Sequence, residues 1–155
     1  MVEAGCEVWF YHLERTSLDQ ALPELLDKTL AKGWRAVVRA GSAERIEHLD
    51  GWLWSYRDDS FLPHGSKRDG DPQDQPIYLT DEPDNPNGAT IRVLLSGVEA
   101  APFAGSAYER VFLMFDGRDE EAVARAREQW TKVKAASEPM SYWREGDDGG
   151  WVKAR

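Results

Sequence analysis

The chain has 155 residues, with 19 Lys and Arg against 28 Asp and Glu, and its formal net charge of −9 excludes a surface that coats a nucleic-acid backbone, which needs clustered cations. Seven Trp, five Tyr and five Phe exclude a disordered acidic chain, and a single cysteine, Cys6, excludes an internal disulfide or a cysteine-based zinc cage. No apolar run is long enough to span a bilayer and no secretion signal opens the sequence, so one cytoplasmic domain with its own core is expected.

Glu7 to Tyr11 is short, aromatic and β-branched, and reads as a buried strand. Ser17 with Gln20 three residues on has the spacing of a capping box. Leu22, Leu25, Leu26 and Leu30 then recur at helical intervals. Pro23 predicts a kink, or a helix that begins near it, and Gly33 is placed to end that helix. Trp34 to Arg39 reads as a second strand. A second helix opens at Ser42 and carries Ile46, Leu49 and Leu53 on its apolar face. Strand–helix–strand–helix alternation is the mark of a parallel α/β sheet.

From Asp69 to Gly88 the chain changes character, with six carboxylates, four prolines and no Lys or Arg. One short strand, Ile77 to Thr80, interrupts this acidic loop. Asn87-Gly88 is a turn signal before the strand Ile91 to Leu95, which predicts that these two strands pair antiparallel or lie side by side. Arg110 to Phe115 is the most apolar run and reads as a central strand. Asp119 opens the last long helix, to about Ala136, and Ser141 to Arg144 forms a final short strand. The expectation is a single α/β domain over residues 1–145 with a mixed, mostly parallel sheet, and a loose tail over residues 146–155.

Phosphate-binding and catalytic signatures are missing from the sequence. It has no glycine-rich phosphate loop and no nucleophile elbow, and His12, His48 and His64 have no metal-ligand spacing. These histidines read as surface or packing residues, and no cofactor or metal is expected. Asp116 and Asp119 stand between a strand and a helix, where acids of a small hydrolase or phosphotransfer enzyme would sit. The plainer reading makes Asp116 part of a turn and Asp119 favourable at a helix N-terminus.

Two surfaces have the composition of docking sites. On the last helix, at ~100° per residue, Val123, Ala126, Trp130 and Val133 share one stripe, with Arg127 and Lys134 beside it. Ala122 to Lys134 holds four basic residues and one acidic, a local charge of +3 on a chain of −9. That border suits a ligand with a carboxylate and an apolar anchor, while the same pattern also describes a core Trp and solubilising cations. The second surface runs from Trp52 through Trp54 and Tyr56 to Phe61 and Pro63, more aromatics than one helix readily buries. Packing of all of them under the acidic loop is the alternative.

At these residues the sequence resembles the chi subunit family of bacterial DNA polymerase III, small accessory proteins of the clamp-loader assembly. The resemblance rests on Val8 to Tyr11, Gly33 to Val38, Leu53-Trp54 followed by Ser60 to His64, Leu113 to Phe115, and Ala126 to Trp130. It implies an α/β fold like that of mononucleotide-binding proteins, without hydrolysis. It also implies an adaptor with two partners and no direct contact with nucleic acid or membrane. One face would bind the psi subunit, through positions matching Trp54 and Phe61 with Pro63 nearby, and a helicase-like protein could use that face. The other would bind the acidic, phenylalanine-ending C-terminal tail of single-stranded DNA-binding protein through Arg127 and Trp130. Val123 and Lys134 join that site from the helical wheel. Where the family carries a basic residue after the aromatic, this chain has Thr131.

Overall fold

A computed structural model describes residues 7–55, 63–66, 69–81, 87–95, 109–135, 140–146 and 151–154. Strand β1, Glu7–Leu13, buries Val8, Phe10 and Leu13 completely. Fully burying such side chains stabilises the fold by about 1.5–3 kcal/mol each. Helix α1, Leu18–Ala31, starts at the expected capping box, in which the Ser17 and Gln20 side chains each accept a hydrogen bond from the other's backbone N–H. The helix neither begins at Pro23 nor stops there. Proline removes the hydrogen bond to the carbonyl four residues earlier, that of Asp19. The indole Nε1 of Trp52 donates to this carbonyl instead. The Asp19 carboxylate meanwhile accepts from Arg45 at 2.8 Å and His48 at 2.7 Å, so this one residue ties α1 to the next helix. At the other end Gly33, at φ 78°, donates to the Leu30 carbonyl while Trp34 donates to that of Thr29. That pair of bonds closes the helix with a left-handed residue only glycine adopts without strain.

Strand β2 is Ala36–Arg39, and helix α2, Ala43–Ser55, buries Ile46, Leu49 and Leu53 as its periodicity predicts. Strand β3, His64–Ser66, had no apolar pattern to announce it. Strands β4, Ile77–Thr80, and β5, Ile91–Leu94, correct the expected pairing. They are neither neighbours nor antiparallel, but flank β2 on its two edges, each parallel to it. Strand β2 buries side chains on both faces of the sheet, Ala36 and Val38 on one and Val37 on the other, and takes a central place. Asn87 therefore clips a crossover instead of turning a hairpin, its side-chain amide donating to the carbonyls of Ala36 and Gln75 at 3.0 Å each.

Strand β6, Arg110–Asp116, is central as expected, between β5 and β1. Helix α3, Glu120–Ala135, is capped by Asp119, whose Oδ1 accepts from the backbone of Glu121 and Ala122. Strand β7, Met140–Glu145, lies parallel to β1. Within the segment expected to be loose, Trp151–Lys153 forms β8, antiparallel to β7. The result is a single α/β domain around one sheet of order β3-β4-β2-β5-β6-β1-β7-β8. Every pairing except the last is parallel. Helices α1 and α2 cover one face and α3 the other, each over its own apolar cluster.

A candidate tail-binding groove on the last helix

Four residues of α3 face the sheet: Ala122, Ala126, Gln129 and Val133 are buried. The buried face is thus rotated slightly from the stripe drawn on the wheel, and Val123 and Trp130 fall at its border, half-buried. The Trp130 ring stands edge-on to Phe10, at 5.1 Å between centroids, and to Tyr142, at 5.6 Å. Packing on two rings fixes the indole and leaves part of it open. Arg127 sits one turn before Trp130, exposed, on the same flank.

Strand alternation supplies the opposite wall. Val8 and Phe10 point at α3, so His12 does as well, and on β7 Met140 and Tyr142 place Arg144 on that side. Together Val123, Ala126, Arg127 and Trp130 on the helix and His12, Tyr142 and Arg144 on the strands enclose a groove of ≈ 280 Å³. Arg125 faces solvent and pairs with Glu121 at 3.4 Å. Lys134 is exposed further along α3 and is not among the residues lining the groove.

Two guanidinium groups, Arg127 and Arg144, make this groove positive. Burial pushes the His12 imidazole below its ordinary pKa, and the nearby Arg144 pushes it further, so it is neutral at pH 7. Its Nδ1 shares a 2.6 Å hydrogen bond with the Tyr142 hydroxyl, which orients both rings at the groove floor. Arg144 is paired with Glu14 at 2.9 Å. A carboxylate of this chain thus already pairs on the strand side of the groove.

The β1–α1 loop that carries Glu14 is held by Glu145, at the end of β7. One oxygen of its carboxylate accepts from the backbone N–H groups of Glu14, Arg15 and Thr16 at 2.9, 2.8 and 2.9 Å, and the other from the Thr16 hydroxyl. Burial alone would raise this carboxyl, but the hydrogen bonds outweigh burial and lower it to about 2. His12, Tyr142, Arg144 and Glu145 were missed by reading the sequence as a series of local elements. Strand parity is the signal that aims the first three at α3.

The second expected surface lies at the other end of the sheet. Trp54, at the end of α2, is 52% exposed, and its ring is 4.5 Å from that of His64. His64 is buried, with its Nε2 3.1 Å from Oδ1 of Asp50, and Pro63 is half-buried beside it. Trp52 instead turns inward to α1, as described above. Phe61 and Tyr56 lie outside the described residues, as do Glu82 and Asp84 of the acidic loop. Helix α2 packs on β3 and β4 and α3 on β6. From β3 to β1 is five strand spacings, about 24 Å.

Asp116 and Asp119 border a further cleft of ≈ 380 Å³ at the carboxyl ends of β2, β5 and β6. Both carboxylates already have structural partners. Asp116 accepts from the backbone N–H and Nε of Arg118 at 2.9 and 2.8 Å, and the side-chain bond above all holds its pKa below the ordinary value. Asp119 is the cap of α3. Among the described residues no group of three or more His, Cys, Asp or Glu is placed to hold a metal ion. No helix among them is long and apolar enough to cross a membrane.

Residues 6–141 match the family model described as DNA polymerase III chi subunit, HolC. The chain is also 36% identical over 91 residues to the "Probable DNA polymerase III subunit chi" of Rickettsia prowazekii (strain Madrid E). That stretch covers 59% of this chain and 55% of the relative, so the likeness spans about half of the curated protein it matches. The family model alone takes in most of the chain. The protein belongs to the DNA polymerase III chi subunit family, a family of replication proteins.

Proposed function

We propose that this protein is a non-catalytic, cytoplasmic adaptor of the DNA polymerase III holoenzyme, linking the clamp loader to the C-terminal tail of single-stranded DNA-binding protein. The observation that carries this reading is the groove in which Arg127 and Arg144 flank the half-buried Trp130. A guanidinium donates to both oxygens of a carboxylate in a two-point fork, while Val123, Ala126 and the indole provide apolar walls for a terminal phenylalanine. Arg127 takes the terminal carboxylate, and Arg144 exchanges Glu14 for an acidic side chain of the tail. Lys134 lies outside the groove lining and attracts the tail's upstream acids at longer range. Thr131 leaves no cation at its position, so Arg144 makes up that charge from the strand side.

The Trp54 face, with Pro63 and, by the resemblance, Phe61, is the site for the second partner, a psi subunit, a psi-like protein or a helicase-like protein. An adaptor needs two surfaces that can be occupied together, and sites at the two ends of one sheet meet that need. A surface of −9 net charge suits a protein that reaches DNA only through others.

The test is a calorimetric titration with a synthetic peptide ending in Asp-Ile-Pro-Phe. The free acid is expected to bind with a dissociation constant of about 1 μM, or −8 kcal/mol, and its C-terminal amide at least tenfold more weakly. Equal affinity of the acid and the amide overturns the assignment of this groove.

A further inference from the structure

The sheet face opposite α3 carries a second groove, which the tail-binding reading does not use. Helices α1 and α2 on this face pack mainly against β2, β3, β4 and β6. The tryptophans of β1, β7 and β8 remain half-buried beyond them. Between α1 and those strands runs a cleft of ≈ 250 Å³, with Trp9, Trp143 and Trp151 on one wall and Leu25, Thr29 and Trp34 on the other. An aromatic concavity of this kind on a small domain is the usual make-up of an interface core.

Three cations rim this cleft: Lys28, Lys32 and Arg110. Among the described residues neither lysine pairs with a carboxylate, and the carboxylate in ion-pair range of Arg110 is Glu7, at a loose 4.0 Å. On a chain of −9 this is a local excess of positive charge. Long, exposed lysines with apolar stems beside an aromatic cleft suit an acidic occupant with an apolar anchor.

The ring geometry separates two kinds of anion. Trp9 is stacked on Trp143 at 5.2 Å and 26°, and the Arg110 guanidinium lies 4.8 Å over the Trp9 ring. Arg110 also lies 5.4 Å over Trp34, and the Lys32 ammonium is 4.9 Å over that ring. The faces of Trp9 and Trp34 are thus engaged by another ring or by cations, while Trp143 and Trp151 stay half-buried. Single-stranded nucleic acid gains its affinity by stacking successive bases along a continuous basic track, and among the described residues the cleft has three separate cations and no such track. A short acidic peptide needs only the local cations and an apolar wall for its anchor side chain.

We propose that this cleft is a second docking site, for an acidic peptide segment bearing an apolar or aromatic anchor on a protein partner. Recognition is by Lys28, Lys32 and Arg110, with the anchor seated against Trp143 and Trp151. The site is independent of the α3 groove, so the experiment uses the full chain carrying Arg127→Ala to silence that groove. The probe is the amidated peptide acetyl-Asp-Glu-Asp-Leu-Phe. Four of the chain's seven tryptophans line the cleft, so their fluorescence reports its occupation.

The expected result is a saturable fluorescence change that Lys28→Glu with Lys32→Glu weakens at least tenfold. Both lysines are exposed, and an unchanged circular dichroism spectrum verifies that the double variant folds. An octathymidylate probe is expected to give no saturable change. The absence of saturable peptide binding overturns the proposal, as does equal affinity in the double variant. Tighter binding of the oligonucleotide than of the peptide overturns it in favour of a nucleic-acid site.

Discussion

The two ends of the sheet present tryptophan in different ways. At the α2 end, Trp54 stands 52% exposed against the His64 ring, a large apolar surface offered to whatever covers it. At the α3 end, Trp130 is half-buried between Phe10 and Tyr142, and two guanidinium groups share its groove. Among the described residues, the first arrangement offers apolar area to bury. The second has shape and sign, which in the proposed function select an acidic chain end. In the proposed function, such an adaptor can replace a partner at one end without disturbing the chemistry of the other.

The largest expected effect falls on the fold that carries both ends. The Glu145 carboxyl is lowered from its ordinary 4.5 to about 2 by the β1–α1 loop it caps. Protonation therefore favours the unfolded chain, so the stabilisation is complete above pH 4.5 and is lost as pH falls towards 2. It amounts to about 3 kcal/mol. Glu145→Gln should remove most of it at pH 7, measured by urea unfolding, and should flatten the acid limb of the stability curve. An unchanged acid limb would contradict the role given to this carboxylate.

Next in size, Arg127→Ala should weaken tail-peptide binding about thirtyfold, or 2 kcal/mol, the range for a charge-assisted hydrogen bond. The same change should leave capture of the second partner untouched. The complementary variant is Trp54→Ala, which should reduce capture of a psi-like or helicase-like partner about tenfold in a pull-down while leaving the peptide titration and the melting temperature within error. If either variant damages both interactions, the two ends are not independent and the comparison fails. Salt sharpens it further. Peptide affinity should fall between 50 and 300 mM NaCl as the Debye length shrinks below about 10 Å, and the Trp54 interaction should respond less. The smallest effect is expected from Glu14→Gln, which releases Arg144 and should tighten peptide binding about twofold.

Much of this molecule is legible locally. The Ser17–Gln20 box, the Gly33 stop, the Asp119 cap and the central β6 all follow from short-range chemistry. So does the pairing of Arg127 with Trp130 on one flank of α3, because three residues is nearly one helical turn. What escaped depends on partners distant in sequence. Pro23 is tolerated because Trp52, 29 residues later, donates to the carbonyl that proline leaves unmatched. His-Gly-Ser becomes β3 because β4 offers it an edge, and no pattern of its own announces this. Asn87-Gly88 has the chemistry of a hairpin turn, but its amide is used to hold a crossover. Arg144 joins Arg127 only when β7 lies beside β1, and Glu14 and Glu145 act across about 130 residues of chain. Lys134 shares a helical flank with Arg127, but a wheel has no far wall and could not show where the groove ends.

In the proposed function, Arg127 meets the terminal carboxylate of an acidic tail. A double-mutant cycle tests it most directly, pairing wild type and Arg127→Ala with the free-acid and amidated forms of the Asp-Ile-Pro-Phe peptide in calorimetric titrations. Direct contact predicts strong non-additivity, a coupling of at least about 1 kcal/mol, with the amide binding both proteins nearly alike. Additive losses, in which Arg127→Ala weakens the acid and the amide equally, would contradict it.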